Sequence, residues 1–199
     1  FYGDDIHEGD VIFHNDVFSL GNQNNDVAVY KPVFFAGELV AWAAAKGHQA
    51  DIGGAVAGGY NPNATEVWQE ALRIPPVKVM EKGRLRRDVW DLIFANIRLD
   101  IVQHDLRAQM GACTVGERRM QALLKKYGRE NFEAHKLALF DATRRMTEAE
   151  IAAIPNGTYS GEGHVFFDGR HAGSRFTIRV RIHIEDRRIT FDYSDTDAQ

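Results

Sequence analysis

The sequence predicts an α+β fold: a β-rich N-terminal part with a hairpin, a helical middle, and a C-terminal antiparallel β-hairpin. Three observations carry this. Residues 27–45 are mostly apolar, with Ala36-Gly37 near the middle where a turn between two strands belongs. Residues 63–155 place apolar side chains at helical spacing, Val89, Leu92, Ile93 and Ile97 among them. Phe176, Ile178, Val180, Ile182 and Ile184 then alternate with Arg175, Thr177, Arg179, Arg181 and His183, the period of a half-buried strand.

In chain order, residues 10–13 are a short buried strand, and residues 27–35 and 38–45 form the hairpin. Register matters there. A three-residue loop pairs residue 35 with 39 and therefore Asp26 with His48. A two-residue loop pairs 26 with 47 and turns His48 to the other face. Pro32 has no N–H for a ladder, so its strand is an edge or is bulged. Residues 53–63, rich in glycine, are a flexible loop. Asn63 with Glu66 is a variant capping box opening a helix through Leu72, which Ile74-Pro75-Pro76 ends. Residues 77–80 are a short strand before a Lys82-Gly83 turn. A helix carries Val89 to Ile97, and residues 100–109 continue in the same style. Thr114 and Glu117 form a second capping box for a helix ending at Gly128. Residues 130–146 are another helix, Thr147 with Glu150 starts a last short one, and Pro155-Asn156-Gly157 breaks it. The final strand turns at residues 186–188 into Ile189, Phe191 and Tyr193. The expected regions are 1–62, β-rich and site-bearing; 63–155, helical; and 156–199, the start of a second β region in a separate layer.

At 199 residues the chain holds one large domain or two small ones. A net charge of -4 gives no global case for nucleic acid or a membrane surface, and no run approaches the ~18 apolar residues of a membrane span. The single cysteine, Cys113, excludes an internal disulfide framework and suits a reducing cytoplasm. The chain starts at Phe1 without methionine and stops straight after a strand pattern, as a piece of a longer polypeptide would.

Two polar clusters bracket the hairpin: His14-Asn15-Asp16 with Asn22-Gln23-Asn24-Asn25-Asp26, and His48-Gln49-Ala50-Asp51-Ile52-Gly53-Gly54. Folding the hairpin brings Asp26 to His48. Carboxylate oxygen and imidazole nitrogen are divalent-metal ligands. Equally, they suit a polar loop rim satisfied by hydrogen bonds and water. Gln23 and Asp16 offer further oxygens. Asp51 either orients His48 or caps the loop at Gly53-Gly54. His104-Asp105 and the Lys82, Arg84, Arg86, Arg87 cluster suit solvated surfaces, an acidic partner being the alternative for the latter. Gly53, Gly54, Gly58 and Gly59 do not make a phosphate-binding loop, since no Gly-Lys-Ser/Thr follows. Cys113 has no cationic helper and reads as an inert thiol.

Longer motifs run in one order along the chain. They are Gly9-Asp10-Val11, Asn15-Asp16, Gly21, Asp26-Val27, Pro32-Val33-Phe34, the His48–Gly54 run, and Gln69-Glu70-Ala71-Leu72-Arg73-Ile74-Pro75-Pro76. They continue with Asn96-Ile97-Arg98, Asp105-Leu106-Arg107-Ala108-Gln109 and Asp192-Tyr193-Ser194-Asp195-Thr196. The set resembles the hydantoinase B/oxoprolinase family, which includes α-type subunits of acetone and acetophenone carboxylases, and the resemblance covers nearly the whole chain.

The resemblance implies a subunit of a hetero-oligomer in which a hydantoinase A-like partner uses ATP to phosphorylate the substrate. The subunit resembled here takes the activated intermediate to carboxylation, with carbon from bicarbonate and no biotin, or to hydrolysis. A ketone carboxylase subunit is the first expectation, an ATP-dependent hydantoin or oxoproline hydrolase the second, and a non-catalytic assembly subunit the third. Acetone-carboxylase-like members carry His-x-x-Asp before the hairpin and a later His as metal ligands. The corresponding residues here are Gln23, Asp26 and His48. Glutamine in place of histidine weakens a transition-metal site for manganese or zinc. The candidate catalytic residues are His48 as a proton carrier, Asp51, and Arg73 and Arg98 as holders of anionic intermediates.

Overall fold

The structure is a computed structural model that describes residues 1–167, 169, 171 and 173–198. It divides into two compact units, Phe1–Arg129 and Glu130–Gln199.

The first unit is built on a five-stranded antiparallel sheet of order β3-β2-β1-β4-β5. Its strands are β1 (Val11–His14), β2 (Asp26–Phe35), β3 (Glu38–His48), β4 (Val77–Glu81) and β5 (Arg84–Leu85). Alternation along β1 and β2 sends Val11, Phe13, Val27 and Val29 to one face, where they meet Val79, Trp90, Ile93, Val102, Leu106 and Cys113. Those last five side chains belong to α2 (Arg87–Phe94) and α3 (Asp100–Tyr127), so both helices cover that face. Phe13, Val27, Val29 and Leu106 are fully enclosed, and each such side chain contributes roughly 1.5–3 kcal/mol of burial free energy. The opposite face presents Ile12, His14, Tyr30, Trp42 and Ala44.

The hairpin turns on two residues, Ala36 and Gly37, with Phe35 opposite Glu38. Both turn residues have positive φ, 53° and 83°, the mirror-image turn whose twist matches the strands. A two-residue turn alone would set Asp26 opposite residue 47. It does not, because the ladder slips between Val33 and Phe34 and leaves Val40 unpaired as a bulge. Beyond it Val33 faces Ala41, and Asp26 faces His48. The expected pairing is therefore present, reached by a short turn plus a bulge rather than by a longer loop. Pro32 lies in an interior strand, but past the segment Ala28–Tyr30 that β1 pairs, and next to the bulge.

The helices are fewer and longer than capping patterns suggest. Of the helix expected from Asn63 to Leu72, Val67–Glu70 (α1) alone is helical, and Ala71 is already extended. Neither Thr114 nor Thr147 starts a helix. α3 runs unbroken from Asp100 to Tyr127, and Arg129–Ala152 (α4) is likewise continuous. Each threonine hydroxyl instead donates to the carbonyl four residues back, Met110 and Thr143 respectively, a bond that keeps threonine inside a helix. Gly128 ends α3 as expected, its N–H on the Leu124 carbonyl.

The second unit holds most of α4 and a separate three-stranded antiparallel sheet, β6 (Gly157–Val165), β7 (Phe176–Glu185) and β8 (Arg188–Asp192), with β7 central. Ile184 is buried in it, and the Asp197 carboxylate ties the chain after β8 back to β7 through the Thr177 N–H, 2.8 Å, and Arg179, 2.9 Å. None of the described helices is long and apolar enough to cross a membrane.

Candidate functional site

The register places Asp26 and His48 side by side at the open end of the hairpin. His48 Nδ1 lies 2.8 Å from Asp26 Oδ1, and Gln23 Nε2 lies 2.9 Å from both. The loop before β2 folds Gln23 over the pair through the Asp26 N–H to Gln23 carbonyl bond. Lys46, one rung along the same face of β3, puts Nζ 3.1 Å from Asp26 Oδ2. Asp26 is mostly covered, whereas His48 is 59% exposed. The Gln23 amide, then His48 and Lys46, hold the Asp26 carboxyl well below the usual carboxylate range against the opposing effect of burial. Asp26 is thus ionised, and its partner His48 is reachable from solvent. His48 Nδ1 either donates to Asp26 or accepts from Gln23; the bond to the carboxylate is the charge-assisted one.

Gln23, Asp26 and His48 are therefore brought together. The other three candidates are held elsewhere in two ion pairs. Asp51 is fully buried, and its oxygens accept from the Gly53 N–H at 2.8 Å, the Gly58 N–H at 3.0 Å and Arg98 Nη1 at 3.1 Å. Burial pushes that carboxyl up, but these donors outweigh it and hold it low. Of its two expected positions, Asp51 occupies the loop cap, and Arg98 closes the glycine-rich loop by also reaching the Gly54 carbonyl. Arg73 donates through Nε to Asp16, 2.8 Å, and stacks 4.6 Å from the Phe18 ring and 5.8 Å from the Trp68 ring. The Arg73 bond draws Asp16 down to about 2. Arg73 and Trp68 line a cavity of 490 Å³ with Gly54, Leu72 and Asn96.

Several residues that frame the site are not obvious from the sequence. Asn15, almost fully buried, donates to the Asn24 carbonyl at 2.6 Å and the Leu72 carbonyl at 2.9 Å and accepts from the Ile74 N–H at 2.6 Å. It fixes the loop two residues before Asp26. Gly47, on the opposite face, lets the Gln109 amide of α3 come close to the strand: a Cβ there would stand 2.4 Å from Gln109 Nε2 and displace that side chain. Lys46 was findable, since pairing Asp26 with His48 necessarily sets Lys46 on the same face. Gln109 was not, because nothing local relates α3 to β3.

Three donors bear on a metal. Ligands 2.0–2.2 Å from one ion and at right angles to each other sit roughly 3 Å apart, close to the spacings among the Gln23 amide, Asp26 Oδ1 and His48 Nδ1. The trio fits one face of a divalent ion once the amide presents oxygen. It is a weak set, with one carboxylate whose charge Lys46 already offsets. No group of three His, Cys, Asp or Glu side chains gathers among the described residues.

The sequence pattern of the hydantoinase B/oxoprolinase family matches residues 1–199. The chain belongs to the hydantoinase B/oxoprolinase family. Among proteins of this family, the caprolactamase β subunit of Pseudomonas jessenii is 45% identical over 185 residues, 92% of this chain and 32% of that one. The acetophenone carboxylase δ subunit of Aromatoleum aromaticum is 32% identical over 164 residues, 79% of this chain and 23% of that one. The crystal structure of the ATP-dependent caprolactamase from Pseudomonas jessenii superimposes with a TM-score of 0.90 at 43% identity, over 96% of this chain and 33% of that chain. The chain thus spans about a third, or less, of the length of these family relatives.

Proposed function

We propose that this chain is the site-bearing segment of an ATP-dependent amide hydrolase subunit that opens a cyclic amide. The observation that carries the proposal is the Asp26–His48 pair, in a chain 45% identical to a caprolactamase β subunit. ATP is used by a hydantoinase A-like partner within a cytoplasmic hetero-oligomer. In this mechanism Asp26 holds the Nδ1 side of His48. The imidazole Nε2, outside that bond, takes a proton from the water that attacks the carbonyl carbon of the phosphorylated amide and returns it to the ring nitrogen as the C–N bond breaks; a second water then hydrolyses the acyl phosphate left behind and releases inorganic phosphate. A divalent ion held by Asp26, His48 and the Gln23 amide oxygen would supply a more acidic bound water.

A ketone carboxylase is the second reading, favoured by the 32% likeness to the acetophenone carboxylase δ subunit. Bicarbonate separates the two: lactam-dependent ATP consumption without bicarbonate supports the hydrolase, and a joint requirement for ketone and bicarbonate supports the carboxylase. His48→Ala in the full-length subunit, reconstituted with its ATP-handling partner, should cut turnover by about 100-fold or more. Gel filtration should show assembly intact. Undiminished turnover would leave the assembly role as the surviving reading.

A further inference from the structure

β6, β7 and β8 pair without a slip, so the alternation of side chains assigns every residue to a face. Odd positions of β6, even positions of β7 and odd positions of β8 share one face, and each of them is apolar or glycine. The other face carries Glu162, Arg179, Arg181 and Asp192. The sheet is thus cleanly divided, and its apolar side is open. Tyr159 is 41% exposed, Val165 44%, Ile178 45% and Phe191 54%, and among the described residues of that face only Ile184 is buried. By strand spacing the face measures roughly 30 Å by 15 Å.

Two glycines sit in the middle of this face. Gly161 stands opposite Val180, and Gly163 opposite Ile178. Neither has a positive φ. A Cβ on Gly163 would meet nothing within 4 Å, and one on Gly161 would make ordinary contact with Val180 at 3.8 Å. Among the described residues nothing therefore calls for glycine here, and glycine weakens a strand interior through its backbone freedom and missing side chain. β6 has no bulge at these positions. The remaining cause of glycine inside a strand is the close approach of another backbone. The pair leaves a shallow strip along β6, between Tyr159 and Val165, where such a backbone fits.

A contiguous apolar face of that size is rare on a free protein surface, and a sheet with one apolar side must bury it against another element. That cover has to be present as the sheet folds, which a covalently linked segment ensures and a separately made partner does not. The relatives show where such a segment comes from: the matched region is 32% of the Pseudomonas jessenii caprolactamase β subunit, so most of that polypeptide lies outside it. We infer that the apolar face of β6, β7 and β8 seats a segment of this subunit's own polypeptide outside residues 1–199, whose backbone passes over Gly161 and Gly163. The segment is apolar on the side it turns to Ile178, Val180 and Phe191.

The test is photo-crosslinking of the full-length subunit with p-benzoylphenylalanine in place of Tyr159 or of Phe191, followed by mass spectrometry of the adduct peptides. Both positions already hold aromatic rings. The expected product is intramolecular and joins either position to a peptide outside residues 1–199. An adduct within residues 1–199, in a second copy or in an ATP-handling subunit would overturn the inference, and so would the absence of a product at both positions. Gly163→Val gives a second readout, one whose sign decides. On an open face valine, the better strand former, leaves the Tm of the full-length subunit unchanged or raises it. Under a closely packed segment it lowers the Tm by about 3 °C or more, which is the expected result; an unchanged or raised Tm would overturn the close approach at Gly163. Should Gly163→Val fail to fold, Gly163→Ala is read by the same sign.

Discussion

Replacing Asn15 with leucine, nearly the same in size, should destabilise the first unit by about 3 kcal/mol. The figure follows from what the side chain satisfies. Its amide donates to the carbonyls of Asn24 and Leu72 and accepts from the Ile74 N–H. Leucine leaves three backbone groups without this partner in a place where Asn15 itself is 1% exposed. Each costs roughly 1–3 kcal/mol, and the added apolar contact offsets about 1. Asn15→Asp should be worse, because a carboxylate oxygen would then face two carbonyl oxygens. Urea unfolding of the full-length subunit, followed by fluorescence of the buried Trp90, should show the midpoint falling by about 1 M or more. The same variant should lose activity below the unfolding range, since the Asn24 carbonyl anchors the loop that carries Gln23 and leads into Asp26. A midpoint shift under about 0.3 M would refute the idea that Asn15 ties these three segments together.

Two further outcomes follow from the ion pair and the polar trio. Asp16 sits at about 2 when folded, against an ordinary value of 3.8; its ionised form therefore stabilises the fold fully above about pH 4, and that stabilisation is lost as pH falls toward 2. Asp16→Asn should lower stability at pH 7 by about 1–2 kcal/mol and flatten the acid limb of a stability-versus-pH curve; an unchanged acid limb would show that Arg73 does not hold this carboxylate. Gln23→His supplies an imidazole in place of an amide, so zinc affinity of the full-length subunit should rise at least tenfold by titration calorimetry. Unchanged affinity would mean that residues 23, 26 and 48 do not share an ion.

What the sequence made legible is what local chemistry decides. Alternation and turn residues are enough to find β1, the hairpin and β7, because side-chain period and positive-φ positions are properties of neighbouring residues. The pairing of Asp26 with His48 was legible as one of two registers, but the bulge that selects it was not. No composition signal marks Val40 as the residue left out of the ladder. The capping boxes misled for a related reason: threonine with glutamate three residues on is a start signal only where the preceding residues are not already helical, and α3 and α4 run straight through. β6 falls inside the expected β region but has no strand signal of its own, because Gly161, Glu162 and Gly163 break the apolar alternation that identifies a strand, and pairing with β7 supplies what local propensity lacks. Arg73 and Arg98 looked available for anions when read singly. Their carboxylate partners, Asp16 and Asp51, stand 57 and 47 residues away, a distance only the fold closes.

The unpaired Val40 gives the hairpin one residue of slack. Loss of any single residue from the distal part of β3 can be absorbed by drawing that spare residue into the ladder, so that position 26 still meets the same imidazole. Tip length and site alignment are thereby uncoupled: the far end of this hairpin is free to vary by one residue across a lineage, or to be trimmed by design, while the chemistry at its mouth stays in register.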